Sequence, residues 1–438
     1  MTSTFNLSDD QEGALAEMLA ENWRWGALFV TGPAGTGKST VLRQFRLKTE
    51  ANVVVVAPTG IAALSCGGQT IHRTFRFPPR FLRYRDPEDI QLLRGAAGRL
   101  LQKLDYLIID EVSMVRSDVM DAIDWSLRIN NGEESVPFGG KRVIVVGDAM
   151  QLPPVIRHEE AALFRDHWRG GFFFDANVWR EAPLGVLELR TIHRQAEDPA
   201  FAEALSALRH AEPEGVEFLN SRVGHPAPDS QTIALTPRRD EADRINLVEL
   251  TKLPELSRSY AARIDGTFPD SDMPTERELR LKVGAQVMIV ANGRGFVNGM
   301  LGKVTELADE EVTVETQEGR RFTLERMAWE RVQFELNGVS GKIEPRVAAT
   351  FDQFPVRLAW ATTIHKAQGL TLDRAHIEVG RGFFSHGQAY VALSRCRTAG
   401  GLTLSEPIPR TAMLWDRRVL AFRHTCEEEG VWRGGEWE

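Results

Sequence analysis

The stretch ALFVTGPAGTGKSTVLRQF, residues 27–45, constrains the fold more than any other part of the chain. Four apolar residues, a turn holding Gly32, Gly35 and Gly37, and a run with helical periodicity describe a strand, a tight loop and a helix. A strand that feeds straight into a helix belongs to a parallel sheet covered on both faces, with its functional loops at the carboxyl ends of the strands. The same punctuation recurs in NVVVVAP before TGIAAL, YLIID before EVSM, and RVIVVGD before AMQLPPV. It resumes with GVLEL after Pro183, then with QTIALTPRRDEADRIN, VRLAWATTIHKAQG and GLTLSEP. From about 280 to 345 the texture changes to short alternating segments, VGAQVMIV, GKVTEL, EVTVET and RFTLE, with an Asn298-Gly299 turn. That pattern predicts a small antiparallel barrel. The expected class is therefore α/β, with one parallel-sheet domain over 1–180 and a second over 181–279 and 346–438, interrupted by a β insertion at 280–345.

With 438 residues, 42% of them hydrophobic and 26% charged, the chain can bury large cores. The N-terminus lacks the order of a secretory leader, and no apolar run approaches the roughly 18 residues of a membrane span, so no membrane partner is expected. Cys66, Cys396 and Cys426 have no metal-ligand spacing and are expected to be unpaired. A net charge of -8 argues against coating nucleic acid by bulk charge. Local charge differs: between residues 72 and 103 eight Lys and Arg face three Asp and Glu. Such an island suits a confined polyanion track, the alternative being a solvated helix face.

The glycine loop lets backbone N–H groups approach phosphates, and the following helix adds favourable partial charge. Gly35, Thr36, Gly37 and Thr40 lie in this cradle; Lys38 would sit on the β and γ phosphates and Ser39 would ligate magnesium. Asp110 and Glu111 end a buried strand: Asp110 is the expected metal carboxylate, and Glu111 is placed to orient or deprotonate water. Departure of the γ phosphate also needs arriving positive charge, for which Arg194 in LRTIHRQ and Arg395 in YVALSRCR are candidates. Both fall in the second α/β domain, so they would act on ATP bound by the first.

The order of motifs resembles superfamily 1 helicases, most closely the Pif (petite integration frequency) family of B-type DNA helicases. The carriers are LSDDQ, GPAGTGKS, APTGIAAL with TIHRTF, DEVSM, GDAMQLPPV, HRQ, TIHKAQGLTLD and GQAYVALSR, between about residues 5 and 405. The segment from Asp121 through Arg128 to PFGG resembles that family's signature stretch. The resemblance implies two RecA-like motor domains and an ATP- and Mg2+-dependent motor walking 5' to 3' on single-stranded DNA. Its substrates would be forks with a 5' tail, with G-quadruplexes as a further candidate, and the free protein would be a monomer. Carried over residue by residue, Gln11 would read adenine, Gln151 would sense the γ phosphate and Gly369 would touch the nucleotide. Thr59, Gly60 and His72 would contact DNA from the first domain, and Thr236, His365 and Lys366 from the second. The insertion resembles a Src-homology-3-like barrel, and a small wedge would lie at about 76–100. Phe75 and Phe77 are expected in the core rather than stacked on bases. Ala149, Met150, Asn131 and Arg142 depart from the family pattern. Lacking the long N-terminal extension of eukaryotic members, the chain is expected to be a bacterial or viral, cytoplasmic and nucleoid-associated enzyme. The rival expectation is an ATP-gated DNA clamp that separates no strands.

Overall fold

The computed structural model describes residues 7–210, 212–225, 232–316, 319–409 and 415–434. They form two compact units: Met1–His193 with Arg331–Ala348 and Asp416–Glu438, and Arg194–Glu330 with Ala349–Trp415.

The first unit is built on a seven-stranded sheet in the order Val431–Trp432, Leu184–Glu188, Ala27–Thr31, Arg142–Val146, Tyr106–Ile109, Val53–Ala57, Gln69–Thr70. Every neighbouring pair is parallel except the one formed by Val431–Trp432. Ala27–Thr31 is buried along its whole length, which is why its sequence is an unbroken apolar run rather than an alternation. Helices Asp9–Leu19 and Lys38–Lys48 cover one face through Leu15, Met18, Val41, Leu42 and Phe45, all buried against Leu28, Val30 and Ile144.

Two assignments differ from the sequence pattern. GVLEL was expected to open the second α/β domain, yet Leu184–Glu188 pairs in parallel with Ala27–Thr31. An apolar run identifies a buried strand but not the sheet it joins; here the pairing is carried on by Leu189, whose N–H donates to the Thr31 carbonyl at 2.8 Å. Residues 416–438, also expected in the second domain, belong to the first. The helix Arg417–Glu429 stacks Phe422 on Phe174, with ring centroids 4.2 Å apart, and Trp432 donates from its indole to the Phe174 carbonyl.

The signature stretch forms a structural knot in this unit. On helix Ser117–Asn131, Asp121 accepts from the Trp168 indole (2.6 Å), the Asn177 backbone and side chain (both 3.0 Å) and the Val178 N–H (2.9 Å). Arg128, only 2% exposed, bridges Asp124 at 2.9 Å and Glu181 at 2.8 Å. Asp124 also accepts from the N–H of Phe138, which the PFGG turn holds at φ 53° with its ring buried. Two family departures have plain uses. Asn131 donates back to the Leu127 carbonyl, and Arg142 donates to the Ala20 carbonyl and the Tyr106 hydroxyl while lying over the Trp23 ring.

In the second unit a four-stranded parallel sheet runs in the order Ala361–Thr363, Ile233–Thr236, Ala375–Ile377, Leu402–Leu404. Beside it in sequence stands a five-stranded antiparallel sheet, ordered Arg321–Glu325, Glu311–Glu315, Leu301–Leu307, Gln286–Ile289, Val356–Leu358. Its core gathers Leu279, Val287, Ile289, Val304, Val312, Val314, Leu324, Phe354 and Val356. The run VRLAWATT, read from sequence as one buried parallel strand, is two strands. Val356–Leu358 closes the antiparallel sheet and Ala361–Thr363 opens the parallel one. Residues 331–345, expected inside the β insertion, and 346–348, expected in the second α/β domain, belong to the first unit, where the Ile343 N–H donates to Asn52 Oδ1 at 3.0 Å.

The three cysteines are free, as expected. No helix among the described residues is long and apolar enough to cross a membrane.

Candidate nucleotide and nucleic-acid sites

The glycine loop of the first unit leaves no room for side chains at two points. A Cβ on Gly32, which sits at φ +143°, would lie 2.2 Å from the Leu189 carbonyl oxygen, and one on Gly37, at φ +78°, would lie 2.4 Å from Gln11 Nε2. Gly37 caps the helix Lys38–Lys48 in a left-handed conformation, which turns the loop's N–H groups around a concavity. Lys38 Nζ donates to the carbonyls of Gly32 (2.8 Å) and Pro33 (3.0 Å), so it is folded onto its own loop. Thr36 is fully buried with its hydroxyl on the Pro33 carbonyl, whereas Ser39 is exposed and Thr40 half-buried.

Gln11 is committed at both ends of its amide. Oε1 accepts from the Ser8 N–H at 3.1 Å, while Nε2 donates to the Thr36 carbonyl at 2.9 Å and lies 3.2 Å from His193 Nε2. Its neighbour Asp10, given no role from sequence, accepts from the N–H groups of Arg190 and Thr191 at 2.6 and 2.8 Å. Burial would raise the Asp10 carboxyl, but the Ser8 hydroxyl and these N–H groups outweigh it and hold it below the ordinary range. The His193 N–H in turn donates to the Gly35 carbonyl at 2.9 Å. The start of the first helix thus fastens segment 190–193 to the phosphate loop. An acid in the first turn of a predicted helix was the available signal, but only the fold reveals what it accepts from.

Asp110 and Glu111 follow the strand Tyr106–Ile109, with Arg142–Val146 between it and the strand that feeds the glycine loop. Burial, and next the Glu111 carboxylate, push Asp110 up to about 7, against the pull of the Glu111 N–H and of the Lys38 charge. The Lys38 charge is the opposite-sign group that favours the ionised Asp110 carboxylate. A desolvated carboxyl whose charge is costly is a good hard-oxygen ligand for a divalent cation. With the Ser39 hydroxyl at the start of the neighbouring helix, the donor set fits Mg2+. Glu111 itself sits at φ 52°, a left-handed conformation that costs an ordinary residue on the order of 1 kcal/mol and marks functional turns. Gln151 is buried, its N–H donating to the Asp148 carbonyl at 2.9 Å.

The two candidate arginines are neighbours in the second unit. Arg194 Nη1 donates to the Ser394 carbonyl at 3.1 Å. Burial first and the Arg395 charge next press Arg194 below its ordinary value, though a guanidinium stays charged at neutral pH. Arg395 is 1% exposed and spends its donors on the Val391 carbonyl, the Ser394 hydroxyl and, at 3.4 Å, the Leu370 carbonyl. In this state Arg395 braces its own unit; contact with a phosphate would require it to leave these bonds. Gln195, 2% exposed, donates to the Cys396 carbonyl at 2.7 Å and ties HRQ to SRC, a role not legible in sequence. A Cβ on Gly369, at φ +81°, would meet open space.

The expected DNA contacts divide by unit. In the first, Thr59 caps helix Gly60–Cys66 by accepting from the Ala62 N–H at 3.3 Å, and Gly60 is buried in the first turn. His72 is half-buried and meets Phe77 edge-on; burial lowers its pKa, then the Arg116 charge. Phe75 and Phe77 are buried and stacked on each other, as expected of core residues. In the second, Thr236 is fully buried with its hydroxyl on the Arg238 carbonyl, so the structure does not present it to a strand. His365 is half-buried and Lys366 exposed in the short helix Ile364–Ala367. Of the basic island, Arg73 lies on the helix Ile71–Phe75 and Arg99 and Lys103 on the helix Gly95–Lys103, but the middle is not a helix face. Residues 76–94 are turns closed on Asp89, 2% exposed, which binds Arg80 at 2.5 Å and Arg83 at 2.8 Å, while Arg85 lies 4.4 Å over the Trp125 ring. Much of its charge is therefore spent internally.

The family described as "PIF1-like helicase" matches residues 6–209, and "DNA helicase Pif1, 2B domain" matches residues 270–307. The chain is 33% identical over 418 residues to the ATP-dependent DNA helicase Pif1 of Bdellovibrio bacteriovorus, covering 90% of this chain and 87% of that one. It is 34% identical to the ATP-dependent DNA helicase PIF1 of Rattus norvegicus, covering 96% of this chain but only 64% of the rat protein. A crystal structure of Bacteroides sp Pif1 in complex with ADP-AlF4 superposes with a TM-score of 0.89 at 35% identity, covering 98% of this chain and 99% of that one.

Proposed function

This chain belongs to the PIF1-like helicase family, and on that premise we propose how its residues drive the motor. It is an ATP-dependent DNA helicase. ATP sits in the glycine loop of the first unit, where Lys38 leaves the Gly32 and Pro33 carbonyls for the β and γ phosphates. Ser39 and Asp110 would hold Mg2+, which when bound would supply charge neutralisation on the phosphate oxygens. Glu111 orients the attacking water and takes its proton, and Gln151 senses the γ phosphate. Gln11 reads adenine through the amide that already touches the loop.

The observation that carries this reading is the pairing of chemistry with connectivity. His193 is fastened to Gly35, and the next residue, Arg194, begins the second unit beside Arg395. A cation with one hydrogen bond, repelled by a second cation, is poised to neutralise a developing anion. Arg194 therefore completes transition-state charge stabilisation, and nucleotide turnover is felt by the unit that carries it. Arg194→Ala is expected to lower kcat by about a thousandfold with nucleotide Kd changed less than about threefold. A matched loss in binding and turnover would reassign it to ground-state binding.

Thr59, Gly60 and His72 in one unit and His365 and Lys366 in the other grip backbone phosphates without reading sequence, and Thr236 supports the second grip from inside. The insertion is the Src-homology-3-like element of the family, and residues 76–100 carry the wedge. Translocation runs 5' to 3', the protein works in the cytoplasm as a monomer before DNA is bound, and G-quadruplexes are among its substrates. Fluorescent forks with a 5' or a 3' tail test the core of this. ATP-dependent separation of the 5'-tailed fork alone is expected; vigorous ATPase without separation would make the protein a clamp instead.

A further inference from the structure

In the second unit Arg357 lies on the strand Val356–Leu358, paired across to Met288. Its Nη2 reaches the Met288 sulfur at 3.7 Å, a weak acceptor, and its Nε is buried with no hydrogen-bond partner. Among the described residues no carboxylate comes within 4.0 Å of this guanidinium. The same is true of Lys366, an exposed residue of the short helix Ile364–Ala367. Burial, then the Arg357 charge, lower Lys366, and burial lowers Arg357. Glu276 is the acid that offsets both, but it is exposed and already accepts from the Thr275 hydroxyl at 3.0 Å. Arg239, the next cation felt by Lys366, is occupied with Asp243 at 3.3 Å.

A recessed guanidinium whose Nε has no acceptor and whose Nη2 meets only a thioether costs folding free energy that packing alone does not explain. A methionine or leucine would fill the same space against Met288 without that cost. Proteins keep such unrelieved charge where a ligand of opposite sign relieves it. The planar fork of arginine suits a tetrahedral phosphate, while a neighbouring lysine adds a point charge.

We infer that Arg357 and Lys366 together form a phosphodiester-binding point on the second unit, with Arg357 a backbone contact outside the helicase motifs. The inference rests on the DNA-motor reading and adds a residue to it. It places this grip at the seam of the two sheets of the unit, where Val356–Leu358 of the antiparallel sheet leads into Ala361–Thr363 of the parallel one.

The test uses the full chain, a fluorescent oligothymidylate and no nucleotide, with affinity measured across a salt series alongside thermal unfolding. Arg357→Met is expected to weaken binding about tenfold at low salt and to make the slope of log K against log salt shallower by about 0.7, one single-strand phosphate contact. Its Tm should equal or exceed that of the unsubstituted protein, because a repulsion is removed and no ion pair is lost. Arg357→Lys, which keeps the charge, should retain the slope. An unchanged slope with a lowered Tm in Arg357→Met would make Arg357 a packing residue and overturn the inference. Should Arg357→Met fail to fold, a shallower slope in Arg357→Lys would overturn it equally, since charge is what the site is held to need. Absence of salt-dependent binding in the unsubstituted protein would instead defeat the DNA-motor reading, which keeps the two failures apart.

Discussion

Replacing Lys38 with alanine is expected to cut DNA-stimulated ATP hydrolysis by a factor on the order of a thousand or more, with single-strand affinity held within about threefold. The asymmetry follows from where the ammonium is spent. Its hydrogen bonds to the Gly32 and Pro33 carbonyls are made within the loop, and carbonyls there can turn to water when it is gone. The cradle itself is held by other groups, the Thr36 hydroxyl on Pro33 and the Gln11 amide on the Thr36 carbonyl. What cannot be replaced is positive charge beside the phosphates, in a site where the Asp110 carboxyl is already desolvated. Phosphate release at saturating oligonucleotide, with binding measured separately, checks this. Hydrolysis within tenfold of the unsubstituted protein would remove Lys38 from the chemistry.

Asp121→Ala should act on stability instead, with a loss of about 3–5 kcal/mol for the first unit. The substitution removes the acceptor for the Trp168 indole, for both N–H donors of Asn177 and for the Val178 N–H, and leaves the Trp168 and Val178 donors buried without one. Burial pushes the Asp121 carboxyl up to about 6 in spite of those donors, so part of their contribution is already consumed in holding a buried charge. Asp121→Asn preserves volume and one acceptor and should fall between the two. Chemical denaturation monitored by tryptophan fluorescence would show the difference, with turnover per folded molecule little altered. A variant as stable as the parent but inactive would mean the signature stretch touches substrate.

The sequence-level reading succeeded where a local pattern has a single physical solution. The glycine loop does stand between the buried strand Ala27–Thr31 and the helix Lys38–Lys48, and Asp110 does follow the buried strand Tyr106–Ile109. It failed where the deciding contact is distant in sequence. GVLEL fits any parallel sheet, and only pairing with Ala27–Thr31 says which. VRLAWATT has no turn residue to mark its division between two sheets. Charge was misleading for a related reason. Arg80 and Arg83 look free for a polyanion until Asp89 is seen folded beneath them, whereas Arg357, inside an apolar run, drew no notice. Thr236 was expected to contact DNA, but it is buried and its hydroxyl serves the backbone.

The first unit is assembled from segments far apart in the chain, and this sets an order on its synthesis. Strand Leu184–Glu188 leaves the ribosome more than two hundred residues before Val431–Trp432, the strand that covers its outer side. For that interval the sheet has an open edge beside an apolar face built from Phe173 and Phe174, which Phe422 and Trp432 later cover. A message truncated before codon 416 would therefore yield a polypeptide that retains every nucleotide-gripping residue and yet is prone to clump, because the lid on its hydrophobic flank was never translated.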